Sequence, residues 1–421
     1  MKILLQNSLY WPDMVGGAEQ CTLLLARLLR ERGHRVDILS TSGRHGRSGE
    51  LSESPDVDGV GRVFKGDSHG LYDLIDVGDR RPGILVRGLH HYAAVHSPRW
   101  RRLALGLLRD LEPDVLHTNS LVGHSPALWA AARSRGIPVV HTLHDFHLLC
   151  PRNTLLRSSG ADCLTPPLPC RILSRLKLAA TDQVQAVTAP SRFHLDRHLQ
   201  AGGFPRAHAE VVPNAIEDLP PQAPDRPQSG PVRGLFLGVL EPHKGIDLLL
   251  STLDRAFASD RFGDLEFDFA GRGSAADRVR DFCSRHEGRA RFHGFVGGEA
   301  KEGLLARAHL SVVPSTCQDN SPRTILDALA WGLAVIASAR GGIPELVDDG
   351  REGFIIEPGE ADLLAALARY LEDRTLLAAH GLAARRRAAS FTPDLHAGRF
   401  EAIYRSVTGS PQDPARQPRL D

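Results

Sequence analysis

Lysine is scarce in this chain of 421 residues: it occurs only at positions 2, 65, 177, 244 and 301, and almost all other positive charge is arginine. A lysine in such a chain invites the question of what it does. Net charge is nearly absent too, 51 basic residues against 50 acidic ones giving +1, which removes the electrostatic case for a nucleic-acid partner. No apolar run approaches the roughly 18–20 residues that span a bilayer. The start, MKILLQNSLYW, lacks the charged region, apolar stretch and cleavage site of a signal peptide. The expectation is a cytoplasmic protein, with the inner membrane face as its alternative address. The first strand is not followed by G-x-G-x-x-G with an acid about 20 positions on, which excludes a dinucleotide-dependent dehydrogenase.

Cysteine is limited to six residues, of which Cys150, Cys163 and Cys170 cluster in CPRNTLLRSSGADCLTPPLPC. A structural disulfide is not expected in a cytosolic chain. The spacing is looser than paired C-x2-C ligands, so two readings stay open: a loop bordering a ligand pocket, or a zinc site completed by His147 or another histidine.

What the chain has in quantity is α/β alternation. Short apolar strands at 2–6, 35–40, 114–119, 138–143, 186–191 and 211–216 alternate with amphipathic helices such as 19–31 and 126–135. That rhythm predicts a doubly wound parallel sheet. It breaks at DLPPQAPDRPQSGP (218–231), too rich in proline and polar residues for a core and therefore the expected linker. A second series follows at 232–240, 265–273, 290–296, 310–315, 334–339 and 353–358. The length suits two cores better than one. The expected division is a domain over 1–217, the linker 218–231, a domain over 232–390, a helix within 391–408 with Leu395, Phe400, Ile403, Tyr404 and Val407 on one face, and a solvated tail over 409–421.

The most informative segment is DNSPRTILDALAWG, residues 319–332. Asn320 or Ser321 suits a helix cap, Pro322 its first turn and Gly332 its end. A helix start offers unpaired N–H groups and partial positive charge to a diphosphate, while Asp319 and Asp327, eight positions apart, can accept hydrogen bonds from hydroxyls. Phosphate plus polyol describes a nucleotide sugar. Upstream, GVLEPHKGID (238–247) places Lys244 on a loop heading the next helix, where an ammonium can face a diphosphate. Gly271 and Gly273 in AGRG, and Gly16 and Gly17 ahead of the first helix, allow close backbone approach to a ligand.

The 319–332 segment resembles the carboxylate-x7-carboxylate signature of retaining GT-B glycosyltransferases of family 4, in which both acids are usually Glu and here both are Asp. The resemblance implies two Rossmann-like domains facing a cleft, a last helix that crosses back to the N-terminal domain, and a nucleotide-diphosphate sugar as donor. It implies that Asp319 approaches the transferred sugar and Asp327 the ribose. Gly238 and Lys244 match the family's phosphate loop, but Val239 stands where an arginine is expected; Arg323 and His243 are the candidate substitutes. In GFVGGEAK (294–301), Val296 would hold the base through its backbone and Lys301 through its side chain. Gly341, Gly342 and Glu345 are assigned to the cleft floor. Gly16 and Gly17 match the family's phosphate-contacting turn, with Glu19 supporting the helix start. His144 in HTLHDF matches the histidine that meets the transferred sugar, expected to position it and lend some charge stabilisation. Asp145 would orient that loop.

The expected reaction is retaining transfer of a hexose-type sugar to a hydroxyl acceptor in surface glycan, glycolipid or natural-product assembly, with no metal or cofactor demanded. The alternatives are a nucleotide-sugar epimerase or phosphorylase of the same fold, and a partner subunit without activity. Two basic amphipathic stretches, 97–110 and 170–180, admit contact with a membrane surface or ordinary packing.

Overall fold

The computed structural model describes every residue except 14–15, 46–49, 55–58, 60, 69–91, 158, 218, 223, 225, 228 and 410–421; of the expected tail only Gly409 lies inside the described residues. The chain divides into two compact units. The first comprises residues 1–155, 163–214 and 393–421, the second residues 156–162 and 215–392.

In the first unit the strands are β1 (Lys2–Gln6), β2 (Arg35–His45), β3 (Ser52–Ser54), β4 (Arg62–Ser68), β5 (Val115–Thr118), β6 (Val139–Thr142), β7 (Ala186–Ala189) and β8 (His208–Val211). They form one sheet in the order β3-β4-β2-β1-β5-β6-β7-β8, parallel except for β3 against β4. Sequence neighbours β1 and β2 lie side by side, but β1 also pairs with β5, so the strand order reverses there. Open α/β sheets bind ligands beyond the carboxyl ends of the strands at such a reversal. The β1, β5, β6 and β7 residues are buried throughout apart from Lys2, which is why they read as apolar runs.

The second unit holds β9 (Val232–Leu237), β10 (Leu265–Ala270), β11 (Ala290–Phe292), β12 (Leu310–Val313), β13 (Ala334–Ser338) and β14 (Gly353–Ile356) in the order β11-β10-β9-β12-β13-β14, all parallel. Its reversal lies between β9 and β12. One face is filled by a core around Leu249, Leu253, Phe267, Phe269 and Phe282, the other by one around Ile325, Leu329, Val335 and Leu346.

Several expectations are corrected. The stretch 211–216 is not a strand; β8 ends at Val211, two residues before Pro213, which has no N–H for a ladder. The antiparallel β3 and the strand β4 went unseen because SES and RVFKGDS carry little apolar periodicity. Residues 156–162, expected in the first domain, pack with the second unit, where Asp162 accepts from Arg340 Nη1 at 3.0 Å. The helix Pro393–Thr408 belongs to the first unit: Phe400, Ile403 and Tyr404 are buried, whereas Leu395 and Val407 are only partly so. Polar contacts fasten it there, with Arg32 to Asp394 at 2.8 Å, His34 to Glu401 at 2.7 Å, and Tyr404 Oη to His117 Nδ1 at 2.7 Å.

Candidate active site

In the second unit the expected donor residues gather beyond the carboxyl ends of β9 and β12. After β9 the chain passes Gly238, makes a short 3-10 turn at Pro242–Lys244, and enters the helix Ile246–Phe257 through Gly245 at φ 77°. Gly245 lies so close to the loop after β12 that a Cβ would sit 1.8 Å from the Pro314 carbonyl oxygen, fixing one loop against the other. Lys244 Nζ consequently donates to Asp319 Oδ2 at 2.6 Å, and Ser315 Oγ donates to the same oxygen at 3.0 Å. Burial alone would lower the Lys244 pKa, but the facing Asp319 outweighs it and the net shift is upward, so the ammonium stays charged.

Asp319 is held by its backbone. Gly342 N donates to the Asp319 carbonyl at 2.7 Å, and Gly341, at φ 62°, leaves only 2.0 Å between an added Cβ and that oxygen. Gly341 N in turn donates to Gln318 Oε1 at 3.0 Å. The Gly-Gly pair braces the acid's loop, a more specific task than shaping a floor.

The helix Arg323–Ala330 starts from Pro322 in extended conformation, and no side chain caps it, contrary to the expectation for Asn320 or Ser321. Ser321 Oγ is instead buried without a hydrogen-bond partner among the described residues, a polar group still to be satisfied. Gly332 ends the helix at φ 63°. Asp327 Oδ1 accepts from Lys301 Nζ at 2.8 Å, Lys301 lying on the helix Gly298–Arg307. The structure thus joins the expected ribose acid to the expected base-side lysine.

Other expectations fare differently. Gly271 and Gly273 are required by packing of their loop on residues 238–240: a Cβ would meet the Gly238 oxygen at 1.8 Å and the Leu240 oxygen at 2.4 Å. His243 does not supply a cation at neutral pH, because burial and the neighbouring Lys244 hold its ring below the usual 6.5. Arg323 is charged, but its Nη2 lies 3.3 Å from Glu217 Oε2. Val239 is exposed and apolar. Val296 is partly buried against the core. Beside it Phe295 is exposed, with the Arg272 guanidinium 5.0 Å from its ring centre. No sequence motif marks Phe295, and Arg272 is marked only by its place between the two AGRG glycines. Gln318, Arg340 and Asp162 were also missed, for Asp162 lies far away in the chain.

In the first unit, Gly16 opens the helix Gly17–Glu31, and Glu19 Oε2 accepts from the Gly16 N–H at 2.8 Å, so that donor is satisfied within the protein. His144 follows β6, and its Nε2 lies 3.2 Å from Asn119 Oδ1. Asn119 Nδ2 donates to the Gln6 carbonyl, which leaves Oδ1 as the acceptor and places the histidine proton on Nε2. Burial, with a smaller contribution from His396, lowers the His144 pKa to about 4. The ring is therefore neutral near pH 7 with Nδ1 as a bare acceptor, and the expected charge stabilisation is withdrawn. Asp145 anchors the loop by accepting from Ser120 Oγ at 2.6 Å and His147 N at 2.7 Å.

The zinc reading is also withdrawn: among the described residues no group of three or more His, Cys, Asp or Glu is arranged to hold a metal. Lys177 Nζ lies 3.2 Å from His147 Nε2, occupying the proposed fourth ligand. Cys150, Cys163 and Cys170 are free, half-buried thiols. Of the two amphipathic stretches, Pro98–Leu111 spends its apolar side on the core through Trp100, Ala104, Leu107, Leu108 and Leu111. Leu168–Ala179 buries only Lys177 and Leu178, and leaves Leu168 64% and Ile172 51% exposed. Among the described residues no helix is long and apolar enough to cross a membrane.

Similar solved structures place this architecture. Sucrose-phosphate synthase from Thermosynechococcus elongatus aligns over 97% of this chain and all of its own, with a TM-score of 0.72 at 17% identity. HepE from Anabaena, solved in complex with UDP, aligns over 96% and 100%, with a TM-score of 0.69 at 19% identity. Two parallel-sheet α/β units of this kind are the GT-B fold of glycosyltransferases. Residues 15–218 match the family described as Glycosyltransferase Family 4, and residues 231–373 that described as Glycosyl transferases group 1. The phosphatidyl-myo-inositol mannosyltransferase of Mycolicibacterium smegmatis is 25% identical over 411 residues, covering 94% of this chain and 92% of its own. The chain belongs to the family 4 glycosyltransferases.

Proposed function

We propose that this glycosyltransferase moves a hexose from a nucleoside-diphosphate sugar to a hydroxyl acceptor with retention at the anomeric carbon. The observation that carries the reading is the Lys244–Asp319 pair beyond β9 and β12, ahead of a helix start with an unsatisfied hydroxyl at Ser321. Lys244 and the helix N–H groups neutralise the diphosphate as the bond from the anomeric carbon to its oxygen breaks. The acceptor oxygen bonds to that carbon on the same face, and its proton passes to a phosphate oxygen. Asp319 hydrogen-bonds the sugar, Asp327 the ribose, and Lys301 and the Val296 backbone the base. Of the first unit's residues, the Gly17 backbone serves the phosphate, and His144 accepts a hydrogen bond from a sugar hydroxyl at Nδ1. HepE was solved with UDP, which supports a nucleotide donor here.

A lipid-linked acceptor is the acceptor class favoured. Leu168 and Ile172 are exposed beside Arg171 and Arg175, the composition of a helix that rests on an anionic membrane surface. The mannosyltransferase relative carries a phosphatidyl-inositol in its name. Slow hydrolysis of a panel of nucleotide sugars by the purified protein tests the reading without an acceptor: cleavage of one donor to nucleoside diphosphate and free sugar supports it, and no cleavage of any leaves a partner subunit without activity.

A further inference from the structure

A cavity of about 220 Å³ in the second unit lies away from the donor residues, at the opposite end of the helix Arg323–Ala330. Eight helical residues separate the two places by about 12 Å. Three guanidinium groups, Arg226, Arg374 and Arg385, line it together with His309, and its apolar wall includes Leu377 and Leu382.

The charge there is poorly matched. Arg374 pairs with Asp264 at 3.0 Å, but Arg226 and Arg385 have no carboxylate partner among the described residues. Arg226 donates to the carbonyls of Trp331 at 2.8 Å, Leu305 at 3.1 Å and Gly332 at 3.2 Å; Arg385 donates to those of Ala330 and Pro220. Capping of helix ends explains the bonds to Leu305, Ala330, Trp331 and Gly332, the Pro220 carbonyl takes one more, and one group is left over. Arg226 Nε is buried with no partner among the described residues, and burial lowers the Arg226 pKa to about 10, with no carboxylate among those residues to offset it. His309 is already used, with Nδ1 accepting from Arg233 N at 3.0 Å and Nε2 facing the Pro227 oxygen at 3.2 Å.

We propose that this cavity is a second binding site, for a small phosphate ester such as a sugar monophosphate. The dianion lies among Arg226, Arg374 and Arg385, and the carbon skeleton rests against Leu377 and Leu382. A volume of 220 Å³ is below the roughly 300–1,000 Å³ of drug-sized pockets and admits a ligand of this size but not a full nucleotide sugar. The site does not depend on which donor the enzyme uses.

Calorimetry on the full chain at constant ionic strength, with glucose 6-phosphate, inorganic phosphate and glucose as probes, tests it. One glucose 6-phosphate per chain is expected to bind saturably, more tightly than inorganic phosphate, with no binding of glucose and no displacement by UDP. Loss of one charge-assisted contact in Arg374→Gln, or of the Nε donor in Arg226→Lys, weakens binding about tenfold. If either variant folds poorly, the rise in melting temperature of the unaltered protein with glucose 6-phosphate, in the presence of saturating UDP, reads the same site. Absence of saturable binding, displacement by UDP, equal affinity for inorganic phosphate, or unchanged affinity in both folded variants overturns the proposal.

Discussion

Lys244 Nζ lies 2.6 Å from Asp319 Oδ2, so the cation assigned to the leaving diphosphate and the acid assigned to the sugar hold one another before substrate arrives. The pair keeps the lysine charged in a partly buried place and sets both groups in position. It also means that a phosphate must compete with a carboxylate for the same ammonium.

Asp319→Asn keeps the side chain's shape and removes its charge. Turnover is expected to fall about 100-fold or more, as for loss of a polar group aimed at a transition state. Nucleoside diphosphate should bind at least as tightly as before, because Lys244 is released from its partner. Steady-state kinetics alongside calorimetry separates the two effects; a parallel fall in both would place Asp319 on the nucleotide rather than the sugar.

Gly341→Ala tests the brace. At φ 62°, with 2.0 Å to the Asp319 oxygen, the added methyl must displace that loop. A backbone strain of about 1–2 kcal/mol plus the clash predicts a lower melting temperature and a larger loss of turnover. Gly298→Ala serves as control, since its added carbon meets nothing within 4 Å and its φ of 51° carries the strain without the clash.

The buried histidines set an acid limit. His117 and His124 have pKa values lowered to about 3 and His198 to about 4, each chiefly by burial. Unfolded, they would take up protons near 6.5, so the unfolded state binds more protons below that pH. Their stabilising contribution is full above 6.5 and falls toward the folded-state values, by up to about 1.4 kcal/mol per histidine per pH unit. Urea midpoints measured from pH 7.5 to 5 are expected to hold steady and then drop. His124→Gln should flatten the slope; an unchanged slope would remove His124 from the account.

Leu168→Ser with Ile172→Ser tests the membrane reading. Co-sedimentation with vesicles containing anionic phosphatidylglycerol should fall at least about tenfold, given roughly 1.5–3 kcal/mol per apolar side chain buried. Donor hydrolysis, which involves no lipid, should be unaffected. Equal sedimentation of both proteins refutes docking through this helix.

Most of the fold could be read from the sequence where one physical signal dominated. β1 was located to the residue because KILLQ is apolar and enters a sheet covered on both faces. The β3–β4 ribbon leaves little trace in the sequence because a strand exposed at every residue, as Ser52–Ser54 is, has no burial to print a pattern. Local motifs mark Asp319, Asp327, Lys244 and Lys301 singly; their pairing leaves no local signal because it joins residues 75 and 26 positions apart. The protonation state of His144 depends on its surroundings, including His396 from the last helix, and no local motif carries that information. The AGRG turn suggests close approach of a ligand to Gly271 and Gly273, whereas loop-on-loop packing accounts for both.

Lys244 is the residue proposed to hold the leaving diphosphate. Calorimetric titration of Lys244→Ala with the preferred nucleoside diphosphate, and separately with its uncharged nucleoside, tests it most directly. Diphosphate affinity is expected to fall at least about tenfold, the size of one charge-assisted contact, with nucleoside affinity unchanged. Equal diphosphate affinity in the variant and the unaltered protein would contradict it.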